Sequence, residues 1–146
     1  MINRKTLGVL INDIDGNYQT FLWLKIKEAA EKYNCNLIVY EGRTINPVLD
    51  IEKQHQVIYE FVSRNRLDGI IITSATISSR ISRSEFITFC KKFTNIPMIS
   101  IGETLPGATS LMVDNKKGMK GLLQHLIDDH GYRDIVFVTG PLSNPE

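Results

Sequence analysis

The chain has 146 residues, the size of one domain and enough to bury about two-thirds of the surface that its unfolded form exposes. Its 17 Lys and Arg against 16 Asp and Glu give a formal net charge of +1, which excludes a strongly basic nucleic-acid module and an acidic tail. A content of 42% hydrophobic and 23% charged residues is ordinary for a globular protein and excludes a disordered chain.

The first half of the chain predicts two strand–helix units. Apolar runs at residues 6–12 and 36–40 are continuous rather than alternating, which is typical of parallel strands covered on both faces. A helix is predicted after each strand, over residues 18–33 and 51–66. In the first helix, apolar residues recur at three- and four-residue steps and predict one buried stripe, formed by Leu22, Ile26, Ala29 and Tyr33.

The second half continues this alternation and adds a short extra strand. Strands are predicted at residues 69–73, 97–101, 110–113 and 134–138. Helices are predicted over residues 84–93 and 115–130, with Ser84 as the N-cap of the first and Gly131 ending the second. The order of elements, βαβαβαββαβ, predicts an α/β fold with a doubly wound, mainly parallel sheet flanked by helices.

Cysteine content and the first residues indicate the compartment. Cys35 and Cys90 are far apart in sequence, form no Cys-x-x-Cys motif and are expected to be buried thiols. No apolar run reaches membrane-spanning length, and residues 1–5 lead into the first strand without a signal-peptide pattern. We therefore expect a cytoplasmic protein that makes no membrane contact.

Enzyme chemistry finds little support in the loops that follow the predicted strands. Asp13 and Asp15 form either a metal-binding or acid/base pair or a solvated turn before the next helix, and we favour the turn. A phosphoacceptor receiver domain would need an aspartate at the end of the third strand, where Thr73 and Ser74 stand. This alternative on the same fold is therefore rejected.

Nucleotide and metal motifs are also lacking. No Gly-x-Gly-x-x-Gly follows the first strand, and no Gly-Lys-Ser/Thr occurs in the sequence. The three histidines have no metal-ligand spacing, and His125 is expected to pack among apolar helix residues with a hydrogen-bond partner. We expect no metal, no cofactor and no enzymatic activity in this segment, although an enzymatic output domain outside it is compatible with the sequence.

Two surface features have competing interpretations. Trp23 falls off the stripe of the first predicted helix, so it packs either against a partner protein or at the edge of its own core. Lys116, Lys117 and Lys120 form a small basic cluster at a helix start, which we interpret as a solvated face. On a nearly neutral chain this cluster predicts no DNA contact by this segment.

Several motifs in the second half resemble one known family. They are Val-Asp-Asn-Lys-Lys-Gly at 113–118, His-Leu-Ile at 125–127, His-Gly-Tyr-Arg-Asp-Ile at 130–135 and Thr-Gly-Pro at 139–141. Together they resemble the effector-binding core of the lactose and galactose repressor (LacI/GalR) family, which has the periplasmic-binding-protein-like type I fold. The first half agrees more loosely, through Leu-Gly-Val-Leu at 7–10 and Leu-Asp-Gly-Ile-Ile-Ile at 67–72.

The resemblance implies one half of a two-lobe domain. In that family a small ligand binds between two similar lobes that crossover strands connect. Residues 1–140 are then expected to form the N-terminal lobe and residues 141–146 to begin the hinge, with the natural chain continuing. An uncovered sheet edge would favour a homodimer. The sequence departs from the family pattern at its start, because the family repressors carry a helix-turn-helix headpiece before the first strand and only five residues precede Thr6 here.

The resemblance also implies a ligand site in the loops at the carboxyl ends of the strands, where open α/β sheets bind ligands. We expect a small polar ligand, sugar-like or nucleobase-like, with Tyr18 supplying the aromatic surface that the family usually places after the first strand. Asp114 and Asn115 are expected to cap and orient the helix that follows. The predicted ligand-binding residues are Asn12, Asp13, Tyr18, Ser74, Thr76 and Glu103.

Two functions of different classes follow. The first is a small-molecule-sensing regulatory domain, in a LacI-family-like transcriptional regulator or in a signal-transduction protein. Tyr18-Gln19, with Asn-Leu-Ile at 36–38 and Gln-Val-Ile-Tyr at 56–59, is similar to sensor modules fused to histidine kinases or GGDEF-type diguanylate cyclases, so both settings stay open. The alternative is a ligand-free dimerisation or interaction module of a signalling protein, which an outward-facing Trp23 would support.

Overall fold

Five parallel strands form one sheet in the computed structural model, which describes residues 4–64 and 66–139, without the side chains of residues 63 and 64. The strands are β1 (Thr6–Ile11), β2 (Asn36–Glu41), β3 (Gly69–Ile72), β4 (Met98–Ile101) and β5 (Thr109–Leu111). The strand order is β2-β1-β3-β4-β5, and every neighbouring pair is parallel. This confirms the α/β fold with helices flanking a parallel sheet.

The predicted helices are found in place but are less regular, and a short helix at Ser74–Ile77 stands where a loop was predicted. The β2–β3 connection, predicted as one helix, is two short α-helices on either side of a 3-10 helix at Gln54–Tyr59. A 3-10 turn at Lys91–Phe93 extends the helix at Arg83–Cys90, and a π-helical turn at His125–Asp129 extends the helix at Asn115–Gln124. The α-helices are α1 (Asn17–Lys32), α2 (Asp50–Lys53), α3 (Glu60–Arg64), α4 (Ser74–Ile77), α5 (Arg83–Cys90) and α6 (Asn115–Gln124).

The described chain divides after Leu111 into two compact units. The first unit contains the sheet and a continuous apolar core on one of its faces. Strand side chains from β1, β2 and β3 meet the β2–β3 connection and α5 there. This core consists mainly of Leu10, Tyr40, Tyr59, Val62, Ile70, Ile72, Ile77, Phe86, Cys90, Phe93 and Leu105. Cys90 is a buried free thiol as predicted, whereas the free thiol of Cys35 is only half-buried.

The buried stripe of α1 agrees with the prediction at Leu22 and Ile26 and departs from it after Ile26. Leu22 and Ile26 are half-buried and Ala30 is buried, a regular four-residue step that keeps one face toward the strands. Ala29 is exposed, and Tyr33, which caps the helix C-terminus, is 73% exposed. The predicted stripe was wrong at its end because it followed a three-residue step from Ile26 where the helix continues with four.

The N-cap of α5 is Ser82, so the prediction of Ser84 was wrong. The Ser82 hydroxyl accepts a hydrogen bond from the Glu85 amide at 3.3 Å, and the Glu85 carboxylate accepts one from the Ser82 amide at 2.8 Å. This is a complete capping box, with the glutamate three residues after the serine. The hydrogen bonds from Ser82 hold the pKa of the Glu85 carboxyl below its ordinary value.

We expect Ser82→Ala to lower the free energy of unfolding by about 1 kcal/mol, because an orphan helix amide loses its acceptor. Ser84→Ala is the matched control and should change it by less than about 0.5 kcal/mol. Since the folded-state pKa of Glu85 is lowered, the stabilisation by its carboxylate is present at neutral pH and lost as the pH falls through that pKa. Urea unfolding at neutral and acidic pH measures both effects, and equal costs for the two serines would contradict the assignment.

The second unit contains α6 and no strand among its described residues. Residues 131–139 have no regular secondary structure, so the prediction of a sixth strand at 134–138 was wrong. A strand needs both suitable residues, such as an apolar β-branched run, and a neighbouring strand to which its backbone can hydrogen-bond. The sequence pattern shows only the first of these. Val136 is 90% exposed. The expected hinge at 141–146 lies outside the described residues.

The end of the second helical segment follows the prediction in one respect and departs from it in another. Gly131 has a φ of +69° directly after the π-helical turn and ends it, as predicted. His125 is exposed rather than packed, and its ring contacts Asp129 at 2.6 Å and His130 at 3.0 Å. In the part of the chain that the structure describes, no helix has the length and apolarity needed to cross a bilayer.

Candidate ligand-binding site

The carboxyl ends of three neighbouring strands bring polar loops together at one edge of the sheet. β1 lies between β2 and β3, and the register aligns Leu10 with Tyr40 on one side and Ile72 on the other. The loops that follow these strands therefore start side by side. In open α/β sheets this is the edge at which ligands bind.

A guanidinium between two carboxylates forms the charged part of this edge. The Arg43 Nη1 atom lies 3.5 Å from the Asp13 carboxylate and 3.3 Å from the Glu41 carboxylate. All three side chains are about one-third exposed, so they remain accessible to a solute. Asp13 also accepts a hydrogen bond from the Asp15 amide at 2.9 Å, which places it in the turn that the sequence favoured.

The backbone at Gly42 and Arg43, which carries the guanidinium, has two unusual features. A Cβ atom at position 42 would lie 2.5 Å from the Tyr59 ring, so only glycine allows this close approach. Arg43 has a φ of +61°, a left-handed conformation that costs a non-glycine residue about 1–2 kcal/mol. Strain of this kind is found at sites where a side chain must be aimed.

The β1–α1 loop presents an amide and an aromatic ring. The Asn12 side-chain oxygen accepts a hydrogen bond from the Gln19 side chain at 3.2 Å, which leaves the Asn12 amide nitrogen for other partners. Tyr18, in the first turn of α1, is 57% exposed. Two side chains anchor the loop beneath them, because Thr20 and Trp23 both donate hydrogen bonds to the Ile14 carbonyl, at 2.7 and 3.1 Å.

The Trp23 side chain is half-buried, and its indole N–H donates a hydrogen bond to the Ile14 carbonyl of its own chain. Of the two interpretations of this residue, packing at the edge of its own fold describes its position. The support that an outward-facing Trp23 would give to an interaction module is therefore lost.

Thr76 reaches the same edge from α4. Its hydroxyl lies 3.0 Å from both the Thr73 carbonyl and the Thr73 hydroxyl, and its carbonyl accepts a weak hydrogen bond from Thr44 at 3.4 Å. The Ile45 amide donates to the Ile77 carbonyl at 2.9 Å. These bonds connect the β2–α2 loop to α4, so the loops after β2 and β3 form one surface.

Ser74 and Glu103 lie behind this surface in a buried polar network. The Ser74 and Ser100 hydroxyls are 2.6 Å apart, and Ser100 in turn donates to the Glu103 carbonyl. The Glu103 carboxylate accepts a hydrogen bond from Ser78 at 2.9 Å and pairs with Arg83 at 3.6 Å. Ser74 is fully buried and Glu103 nearly so, which means that both side chains are satisfied by their own chain.

The Tyr59 hydroxyl supports the edge from below. It lies 3.0 Å from the Ile11 carbonyl and 2.7 Å from the Arg43 carbonyl. Ile11 is the last residue of β1, and Arg43 lies at the start of the loop after β2. Burial raises the pKa of this phenol, so the hydroxyl stays protonated and remains a donor. Tyr59 thus connects the backbone beside Asn12 to the backbone of Arg43.

Sequence reasoning missed Glu41, Arg43 and Thr44, because it did not consider the end of β2 and the loop after it. A glycine followed by arginine directly after an apolar strand was the available signal. Asp114 and Asn115 lie in the second unit, where Asp114 is the N-cap of α6 and accepts a hydrogen bond from the Lys117 amide at 2.9 Å. Among the described residues, no group of three His, Cys, Asp or Glu side chains is arranged to hold a metal ion.

Comparison with known proteins finds one family and several solved structures. The model of periplasmic binding proteins and the sugar-binding domain of the LacI family matches residues 4–145. The trehalose repressor from Escherichia coli is similar at 17% identity and a TM-score of 0.69, over 98% of this chain and 50% of that one. The lac repressor dimer bound to operator and the anti-inducer ONPF is similar at 18% identity and 0.71, over 98% and 40%. GanP, a glucose-galactose binding protein from Geobacillus stearothermophilus, is similar at 19% and 0.63, over 88% and 44%.

These similarities differ in what they establish. At such identities the solved structures establish the fold alone, and the chain spans half or less of the length of each of the three. No curated protein matches the sequence. The family model, by contrast, covers nearly the whole sequence, including both units. The chain therefore belongs to the family of periplasmic binding proteins and LacI-family sugar-binding domains.

Proposed function

We propose that this chain is a sensing lobe that binds a small, neutral, polar molecule at the carboxyl edge of its sheet. The observation that carries the proposal is the Asp13–Arg43–Glu41 arrangement, in which accessible donors and acceptors alternate at the ends of β1 and β2. A ligand with several hydroxyl groups complements such an arrangement, because each hydroxyl both donates and accepts.

The residues of the edge take different roles in this proposal. Asn12, Asp13, Tyr18 and Thr76 contact the ligand directly, together with Arg43 and Glu41. Tyr18 supplies an exposed ring for the apolar face of a sugar or for a nucleobase. Ser74 and Glu103 act as positioning residues, since their polar atoms are already bonded within the chain and lie out of reach of a solute.

The ligand class rests on charge and on the relatives. Two carboxylates around one guanidinium leave the site negative, so a ligand with a carboxylate or phosphate would be repelled there. The similar structures include a trehalose repressor and a glucose-galactose binding protein, which favours a neutral sugar over a nucleobase.

The regulatory role in this proposal depends on a second lobe. Residues 1–140 form the N-terminal lobe and residues 141–146 begin a hinge, which agrees with a chain that spans half of its relatives or less. A ligand acts by binding the closed arrangement of two lobes better than the open one, and its effect equals that difference in affinity. The protein is then a homodimeric cytoplasmic regulator of transcription or of signal transduction, whose output lies in another segment.

A ligand panel tests this proposal. The natural full-length protein is titrated with D-glucose, D-galactose, trehalose and adenosine, and thermal unfolding is followed by circular dichroism. A member present at 100 times its dissociation constant should stabilise the folded state by about 2.7 kcal/mol. D-Gluconate and glucose 6-phosphate serve as anionic controls and should have no effect. No shift with any member, together with a stable ligand-free dimer in sedimentation, would favour the interaction module instead.

A further inference from the structure

A cavity of about 400 Å³ lies away from the sheet edge, between the β2–β3 connection and α5. This volume is within the range of roughly 300–1,000 Å³ that small-molecule sites have. One wall comes from the 3-10 helix at Gln54–Tyr59, and the other comes from α5 and its 3-10 extension. The lining residues are Ile45, Lys53, Gln56, Val57, Tyr59, Glu60, Phe89 and Lys92.

The lining combines an aromatic and aliphatic interior with two lysines and one carboxylate, that of Glu60. The Tyr59 and Phe89 rings meet edge to face, with centroids 5.5 Å apart, and Ile45 and Val57 add aliphatic surface. The Lys53 ammonium forms an ion pair with the Asp50 carboxylate at 2.6 Å, and Asp50 is not one of the lining residues. The Lys92 ammonium lies 5.7 Å from the Phe89 ring centre and has no carboxylate partner among the described ion pairs.

We propose that this cavity is a second ligand site, which takes a small planar aromatic anion and transmits its binding to the edge of the sheet. The ring of such a ligand packs against Val57 and the two aromatic rings, where apolar surface leaves water. Its carboxylate meets the ammonium of Lys92 at the mouth, in a charge-assisted hydrogen bond. The class of ligand therefore differs from the neutral polar molecule of the first site.

Two side chains connect the cavity with the sheet edge. Tyr59 presents its ring to the cavity while its hydroxyl holds the Ile11 and Arg43 carbonyls, at 3.0 and 2.7 Å. Gln56 also lines the cavity and donates to the Thr44 carbonyl at 3.2 Å. A molecule that packs on the Tyr59 ring therefore presses on the residue that fixes the backbone before Asn12 and at Arg43. The coupling is a property of these contacts and holds whether or not the edge binds a sugar.

The binding half of the proposal is tested with benzoate, and with benzyl alcohol as its uncharged counterpart, by calorimetric titration of the full-length protein. Benzoate should bind at least about tenfold more tightly, as expected for one charge-assisted hydrogen bond. Lys92→Gln should remove that advantage, whereas Lys91→Gln, which changes the neighbouring lysine outside the cavity, should retain it. Val57→Phe, which fills part of the cavity from a half-exposed position, should abolish binding of both probes. Equal affinities of the two lysine variants for benzoate would overturn the site.

The coupling half is read from Trp23, whose indole hydrogen-bonds to Ile14 in the β1–α1 loop, as the difference in emission between the full-length protein and its Trp23→Phe variant. Addition of benzoate should change the fluorescence emission of Trp23, and the midpoint of this change should match the midpoint of the calorimetric titration. Tyr59→Phe keeps the ring and removes the hydroxyl, so benzoate affinity should stay within about twofold while the change in emission disappears. Binding without a change in Trp23 emission, or an unchanged response in Tyr59→Phe, would overturn the coupling. The sugar panel plays no part in either readout, so failure of one proposal leaves the other intact.

Discussion

Phe86→Ala is expected to lower the free energy of unfolding by about 3–5 kcal/mol, the largest effect on stability that we predict. Phe86 is 0% exposed on the buried face of α5, and its ring stacks on Phe89 with centroids 6.1 Å apart. Truncation removes its apolar surface from the core and leaves a cavity that neighbouring strands cannot close. Urea unfolding followed by far-ultraviolet circular dichroism measures the loss.

Phe21→Ala is the matched control for this substitution. Phe21 lies on α1 and is 73% exposed, so the same change of residue should cost less than about 1 kcal/mol. Similar losses for the two phenylalanines would mean that the core does not lie between the sheet and α5. A loss of unfolding free energy below about 1 kcal/mol for Phe86→Ala, whatever the result for Phe21→Ala, would lead to the same conclusion.

The second large effect concerns affinity at the sheet edge. For the panel sugar that binds, we expect Asp13→Asn and Arg43→Met each to weaken binding by about 10- to 100-fold. Each change removes a charged hydrogen-bonding group and also releases its partner, because the Arg43 guanidinium lies 3.5 Å from Asp13. The double variant should lose less than the product of the two single losses, since the residues share that contact. Calorimetric titration of the four proteins gives the complete cycle.

Asp15→Asn provides the control for these variants. Asp15 is exposed, and the contact described for it comes from its backbone amide rather than its carboxylate, so affinity should change less than about threefold. If Asp13 and Asp15 proved equally sensitive, the effect would be one of general charge. The assignment of Asp13 and Arg43 to direct ligand contact would then be wrong.

The sequence predicts the sheet well because its signal is local. Continuous apolar runs at β1 to β4 mark strands covered on both faces, and their positions agree with the structure to within about two residues. The β2–β3 connection shows the limit of this signal. Its apolar spacing predicts one helix, whereas the backbone forms a 3-10 helix at Gln54–Tyr59, and the Tyr59 hydroxyl at its end contacts the Ile11 and Arg43 carbonyls. A contact of this kind cannot be read from local spacing, because Ile11 lies 48 positions away from Tyr59 in the chain.

The candidate site was predictable in place and less so in composition. The rule that ligands bind beyond the carboxyl ends of the strands leads directly to Asn12, Asp13 and Thr76. It does not reveal that Ser74 and Glu103 turn inward. The sequence pattern of a polar loop residue is the same whether its hydrogen-bond partner is a ligand or a neighbouring hydroxyl. The ion pairs of Arg43 likewise join the loop after β1 to the end of β2, and Arg43 has a left-handed backbone that a non-glycine residue seldom adopts.

Amide hydrogen exchange of the full-length protein, with and without the panel sugar at saturation, tests the ligand site at the sheet edge most directly. We predict slower exchange in the β1–α1 loop from Asn12 to Tyr18 and in the loop from Gly42 to Ile45, because these segments form the proposed ligand surface. The segment at α5 should exchange at an unchanged rate. Protection confined to other segments, or no protection with any member of the panel, would contradict a ligand site at the edge of this sheet.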